Sequence, residues 1–403
     1  MFTEDNKWLK RARELEREII AYRRELHSIP ELGFEEVKTS KKIKDYLDDM
    51  GIESSYVGGT GLVAIVQGDG TCNYDDGGKE PVACLRADID AMPAREDTGL
   101  SFKSVHDYVM HSCGHDGHAA ILLGVAKLLK EYKKELKGKV KLIFQPAEEL
   151  VQGAKEMIKE GVLENPEPDY ILGLHLWQPL ETGKLGLKKG EMMASTDNFK
   201  VRIKGKEAHG AMPHQGIDPI SVSAEFIQGI YHILARTLPA EENYVLSFGK
   251  IAGGTKGNVL ASGVEIDGTY RCFEEKTRIF IKEKIENLLE SKKNLYGTDW
   301  EYILESFTNP TYNDYDLTEK IVDSLQKVVL AENIFMPYGP VFPSEDFSEY
   351  AKVIPGTFFF LGAGGKGEET YDYPHHHPRF DLDENALSLG VALLLQSVED
   401  LNK

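Results

Sequence analysis

Apolar and polar positions along the chain fall into alternating helical and strand-like stretches. Residues 7–50 carry helical spacing, interrupted at Ser28-Ile29-Pro30, where proline disfavours continuation. Short apolar runs follow at Leu62–Val66 and Val82–Leu85, with a polar, glycine-rich loop from Gly68 to Lys79 between them. Apolar residues at 121, 122, 125, 128, 129, 132 and 136 predict a helix over 119–136, with Gly138 as its stop. Val140–Phe144 predicts a strand, Val151–Glu160 a helix, and Tyr170–Leu176 and Thr357–Leu361 two further strands. Strands alternating with helices predict an α/β domain whose central sheet is covered by helices on both faces.

A different pattern occupies roughly 195–306. Phe199–Ile203 alternates like a half-buried strand. Asp218-Pro219 opens a helix to about Arg236, with aspartate as N-cap and proline in the first position. Strands at Tyr244–Phe248 and Val264–Tyr270, a helix over Glu275–Glu290 and a strand at Trp300–Ser306 complete the order βαββαβ, the signature of a ferredoxin-like α+β unit. The α/β character resumes after it. The expected organisation is an α/β catalytic domain built from 1–194 and 307–403, interrupted by this unit at 195–306.

Composition narrows the function classes. The chain has 403 residues, ample for two domains, and 41% of them are hydrophobic. No apolar run approaches the ~18 residues of a membrane span. Met1 to Arg17 is charged and lacks the apolar core of a signal peptide, so a cytoplasmic location is expected. The four cysteines (Cys72, Cys84, Cys113 and Cys272) form no CxxC pair and are expected to be free thiols. A formal charge of −19 opposes nucleic-acid binding. It also means that an anionic substrate needs a local cation.

Candidate chemistry concentrates in His111-Ser112-Cys113-Gly114-His115-Asp116-Gly117-His118, which packs three histidines, a cysteine and an aspartate into eight residues. Imidazole and thiolate bind divalent transition metals. Cys113 and His115 lie two apart, so a loop can turn both toward one ion, whereas a helix would point them apart. Other polar clusters follow the apolar strands: Asp88 and Asp90 after Val82–Leu85, Glu148-Glu149 after Val140–Phe144, His175 within Tyr170–Leu176, and His375-His376-His377 after Thr357–Leu361. Each has an ordinary alternative as a turn residue, an acidic helix start, a core histidine or a surface loop. Their joint placement at strand ends, where α/β sheets build their sites, favours one shared pocket.

These motifs carry a resemblance. HSCGHDGH, QPAEE, the Gly-Leu-His-Leu-Trp run and HHHPRFDLDE occur in an order similar to that of the metal-dependent amidohydrolases and peptidases that include aminoacylase, hippurate hydrolase and the indole-acetyl-amino-acid hydrolases. ELHSIPELGFEE, RADIDAMP, GKEAHGAMPHQGIDPI and SEDFSEY also resemble that family's signatures, from about Ile20 to Leu387. The resemblance implies a two-metal catalytic domain interrupted by a ferredoxin-like lid. Cys113 would bridge two ions, His115 and His175 would complete one site, and Glu149 and a histidine of the 375–377 run the other. Aligning the family's His-x-Pro-x-Phe element selects His376, with His375 and His377 left open. Zinc, manganese, cobalt and nickel all suit such donors.

By the same resemblance Glu148 is the general base, taking a proton from a water polarised by the ions and later protonating the departing amine. Asp88 and Asp90 would orient ligand imidazoles from behind. His209 would donate to the developing oxyanion, and Asn258 and Arg271 would grip a substrate carboxylate. The lid would pair two chains into a homodimer, with His209 serving the partner's site. The implied function is hydrolysis of the amide of an N-acyl amino acid or related amidated carboxylate, with neither nucleic acid nor membrane as partner. The alternatives are a dipeptidase or aminopeptidase on the same metal core, or a catalytically silent metal-bound binding protein.

Overall fold

Four parallel strands form the centre of the larger sheet, and each is almost wholly buried. Lys139–Gln145, Val82–Asp88, Tyr170–Trp177 and Gly356–Gly362 lie side by side in that order. Leu62–Gln67 and then Ser54–Tyr56 add antiparallel strands beyond Lys139–Gln145, and Leu185–Gly186 and Ile334–Phe335 close the other side. The computed structural model of the chain describes residues 2–3, 5–70, 79–367 and 369–402. Cys72, and with it most of the loop expected between Gly68 and Lys79, lies outside the described residues.

Burial on both faces explains why these strands are apolar runs without alternation. Ala83, Leu85, Leu142, Phe144, Leu172, Leu174, Phe359 and Leu361 share one core with the helices Lys7–Glu14, Glu16–Ser28, His115–Glu131 and Asn385–Leu401. Burying each such side chain contributes about 1.5–3 kcal/mol. On the opposite face Phe347, from the short helix Phe347–Ala351, packs against Gly173 and Phe358. A side chain at Gly173 would come within 2.7 Å of the Phe358 ring.

The chain divides into two compact units. The first comprises Met1–Met192, Thr311–Gly339 and Asp346–Lys403, and the second Met193–Pro310 with Pro340–Glu345. The second unit is an antiparallel four-stranded sheet with two helices, Pro219–Thr237 and Glu275–Tyr296. Its strand order is Asp299–Thr308, Thr196–Lys204, Gly263–Cys272, Tyr244–Gly253. Numbered along the chain this is 4-1-3-2, the ferredoxin-like arrangement that the βαββαβ order predicts. The 340–345 stretch lies outside the span of 195–306. It joins this unit because Ala194 N–H donates to the Val341 and Pro343 carbonyls and Phe342 packs against Phe273.

Several element boundaries differ from the sequence pattern, most of all those of two helices and of the strand Tyr244–Gly253, which outruns its expected end at Phe248. The helix expected over 119–136 begins at His115 and ends at Glu131. Its first turn holds polar side chains engaged with the site described below, so apolar periodicity appears only from the second turn. Gly138 stands instead at the entry to Lys139–Gln145, with φ +73°. The helix Glu275–Tyr296 outruns its expected end at 290 and stops at Gly297, whose φ of +68° forms a left-handed cap. No helix among the described residues is long and apolar enough to cross a membrane.

Candidate metal centre

The carboxyl ends of the four central strands bring together Asp88, Asp90, Glu148, Glu149, His175 and the 375–377 run. Gly114, at φ +94°, turns the chain between Cys113 in the loop and His115 at the first position of the helix. That left-handed residue lets side chains two apart face the same centre. Among the described residues, two of the groups whose donor atoms lie within 4.8 Å of one another contain Cys113: Cys113, His115 and His175, and Cys113, Glu149 and His376. The Cys113 sulfur belongs to both. Cys113 Sγ lies 3.5 Å from His175 Nε2, and Glu149 Oε1 lies 3.4 Å from His376 Nε2.

The structure separates the three consecutive histidines. His375 Nε2 is 3.1 Å from the Leu176 carbonyl and belongs to the packing of the fold. His377 accepts the Arg379 N–H at Nδ1 and stacks on Tyr373. His376 is the one placed with Cys113 and Glu149. Its φ of +68° is costly for a non-glycine residue, and its N–H donates to the Ser112 carbonyl at 2.8 Å. Ala147 and Val151, which bracket Glu148-Glu149, are left-handed as well, each with φ +51°. The buried Glu36 carboxylate receives the Ala147 N–H at 2.8 Å and helps to hold this turn. Sites of strain costing about 1–3 kcal/mol each thus cluster at the centre.

Two buried atoms aimed into the centre, His115 Nε2 and Glu149 Oε1, make no hydrogen bond. The opposite ring nitrogen of His115 is held: Nδ1 lies 3.0 Å from the Asp90 carbonyl and 3.1 Å from Asp90 Oδ1. The second Asp90 oxygen accepts the Glu149 N–H at 3.0 Å. Glu148 Oε2 sits 4.0 Å from His115 Nε2. Asp88, expected behind a ligand imidazole, stands 3.8 Å from His115 Nε2 and makes its short contact, 2.6 Å, with Nδ1 of His118.

The electrostatics call for positive charge. Burial, reinforced by the carboxylates of Glu149, Glu148 and Asp88, pushes the Cys113 thiol well up. Burial lowers His115, but Asp88 and Asp90 outweigh it and raise the imidazole to about 10. Burial, with the His118 and His375 rings, holds His175 well below its ordinary value. Burial raises Glu149, but His376 and His115 outweigh it and hold the carboxyl down. Thiol, three imidazoles and carboxylates, with His115 and His175 buried, Cys113 and Glu149 partly buried and His376 half-exposed, fit a pair of divalent transition-metal ions.

Beneath the centre lies a network that the sequence pattern did not expose. Arg23, 1% exposed, donates to Asp116, Asp381 and Glu384, and His27 contacts Asp116 and Glu96. The available signal was a charged residue on the buried face of Glu16–Ser28, between Tyr22 and Leu26. His111, first of the dense run, joins neither donor set and is buried without a hydrogen-bond partner at either nitrogen.

Three expected site residues belong to the second unit. His209 is exposed in a loop and accepts the Ala211 N–H at Nδ1, which leaves Nε2 as a donor. The Asn258 carbonyl accepts the Gly210 N–H, so these two segments run side by side. Arg271 is half-buried, and its guanidinium donates to the Phe342 carbonyl at 3.0 Å.

Comparison with known proteins gives a consistent picture. The profile of the peptidase family M20/M25/M40 matches residues 84–400. The chain is 38% identical to N-acetyl-L-cysteine deacetylase of Bacillus subtilis, across 96% of this chain and 89% of that protein. It is also 38% identical to thermostable carboxypeptidase 1 of Saccharolobus solfataricus, across 97% of each. Among solved structures it resembles a dinuclear metal-binding peptidase of the M20 family from Bacillus subtilis, with a TM-score of 0.81, 33% identity, and 97% and 99% of the two chains covered.

Proposed function

The chain belongs to the peptidase family M20/M25/M40 and is a metal-dependent hydrolase, and from that premise we propose that it cleaves the amide bond of N-acyl amino acids. Cys113, His115 and His175 would hold one divalent ion, and Cys113, Glu149 and His376 a second. The observation that carries this reading is the Cys113 sulfur common to both donor sets. A bridging anion lets two close cations share one site.

Bound divalent ions supply Lewis acidity, which makes water a nucleophile at neutral pH and polarises an amide carbonyl. The residues do the rest. Asp90 holds His115 at Nδ1 and so presents Nε2 to the centre. Glu148, beside Glu149, takes the proton from the attacking water and returns it to the departing amine. His209, with Nε2 free to donate, stabilises the oxyanion. Arg271 and Asn258 hold the substrate carboxylate, with the guanidinium as the local cation that a chain of net charge −19 requires. The second unit pairs two chains. Tyr244–Gly253 is an edge strand of its sheet and exposes Val245 and Ile251.

The similarity to a carboxypeptidase keeps peptide substrates in view. Assaying the metal-loaded enzyme on acetyl, benzoyl, indole-acetyl and aminoacyl conjugates of one amino acid decides between them. Preference for the acyl conjugates supports the proposal, and hydrolysis of the aminoacyl conjugates alone overturns it.

A further inference from the structure

His118 closes the dense histidine run, yet both of its ring nitrogens are engaged within the fold. Nε2 accepts the backbone N–H of Leu176 at 2.9 Å, and Nδ1 lies 2.6 Å from Asp88 Oδ1. An N–H can only donate, so Nε2 is the acceptor and Nδ1 carries the proton. Although Asp88, His115 and His118 place donor atoms within 4.8 Å of one another, no lone pair of His118 is left for a cation.

Leu176 is the residue through which His118 acts. Pairing of Tyr170–Trp177 with Val82–Asp88 stops at Gly173, short of Leu176, and the Leu176 amide is taken by the His118 side chain. The Leu176 carbonyl lies 2.8 Å from His175 Nδ1 and 3.1 Å from His375 Nε2. A carbonyl accepts, so Nδ1 of His175 carries the proton and its Nε2 lone pair faces Cys113 Sγ at 3.5 Å. The Leu176 carbonyl therefore fixes the tautomer and direction of a proposed ligand, and the N–H of the same residue, one peptide unit earlier, is held by His118.

The relay is anchored at its far end. Asp88 Oδ2 accepts from Arg86, which also donates to Gln145 and Asp346, all of them buried. Gly117 leaves room for this approach: a Cβ there would come within 2.4 Å of Leu176 Cδ1 and push that side chain aside.

We infer that His118 is a positioning residue: the relay Arg86–Asp88–His118–Leu176 locks His175 as the Nδ1–H tautomer with Nε2 turned to the metal. The inference rests on the proposed two-ion centre. Partners behind a ligand histidine typically change metal affinity by about 10–100-fold.

Two substitutions separate this role from plain packing. The amide of His118→Gln reaches the position of Nε2 and can accept the Leu176 N–H. The amide of His118→Asn stands near Nδ1 and reaches only Asp88. Cobalt(II) serves as the probe, read by bound cobalt after dialysis and by the thiolate-to-cobalt charge-transfer band. His118→Gln is expected to bind within about threefold of the parent, and His118→Asn and His118→Leu to lose about 10–100-fold with a weakened band. Equal affinities for the Gln and Asn variants overturn the inference, as does a Leu variant that binds like the parent.

If the variants do not fold, the parent still decides. Nitrogen-15 spectra of histidine-labelled, metal-free protein should show His118 and His175 protonated at Nδ1, and Nε2–H on either overturns the relay. His175→Ala is the separate control. Full cobalt content in that variant removes the two-ion reading itself, whereas loss of cobalt there with parent-like binding in His118→Leu removes only the relay.

Discussion

Asp90 holds His115 by its Nδ1, with a carboxylate oxygen at 3.1 Å and its own carbonyl at 3.0 Å, while its other carboxylate oxygen takes the Glu149 N–H. One side chain therefore sets the position of a donor in each of the two groups that share Cys113. Asp90→Asn keeps the shape but replaces one acceptor with a donor. It is expected to weaken metal binding about 10–100-fold with the fold intact. Equilibrium dialysis against cobalt or zinc checks this, and unchanged affinity would argue that Asp90 positions nothing the ions use.

Glu148 and Glu149 are adjacent but are assigned opposite tasks. Glu148→Ala should cut kcat by about 10²–10⁴-fold and leave metal content near that of the parent. Glu149→Ala should lose metal as well as activity. Near-normal kcat in metal-loaded Glu148→Ala would exclude it as the base.

Arg271→Lys keeps the charge and loses the planar fork. For N-acyl amino acids kcat/KM should fall about tenfold or more, the order expected when a charge-assisted hydrogen bond is lost. Their carboxamide analogues should lose far less. Equal losses on both would argue against a carboxylate contact.

The buried pair under the centre predicts a pH dependence of stability. Burial lowers His27, but Asp116 and Glu96 outweigh it and raise the imidazole to about 9. A group raised in the folded state stabilises fully below its unfolded value, ~6.5 for histidine. That contribution fades as the pH rises through about 9. The difference in unfolding free energy between the parent and His27→Gln should therefore be widest below pH ~6.5 and shrink above it. Urea melts of metal-free protein across that range measure it, and a difference that does not change with pH would contradict the assignment.

The fold was legible wherever a single period governed a stretch. Four of the five apolar runs became the parallel centre, Leu62–Val66 became an antiparallel strand beside it, and βαββαβ became the 4-1-3-2 sheet. What escaped detection depended on contacts distant in sequence. Arg23 reads as one more charge until Asp116, Asp381 and Glu384 converge on it. His118 reads as one more member of a histidine-rich run until the Leu176 amide claims it. Phe34, Ala147, Val151 and His376 are left-handed without being glycine, so residue type gives no sign of their strain. The 340–345 segment joins the second unit through backbone hydrogen bonds and one ring pair, which leave no periodicity to read.

If one sulfur serves two ions, the metal content of the chain depends on Cys113. Parent protein and Cys113→Ala, reconstituted with zinc or manganese and freed of loose metal, are analysed for metal per chain. The parent should approach two ions. Cys113→Ala should fall well below that while retaining its circular-dichroism spectrum, because both donor sets lose a member. A folded Cys113→Ala that keeps both ions would rule out a sulfur shared between them.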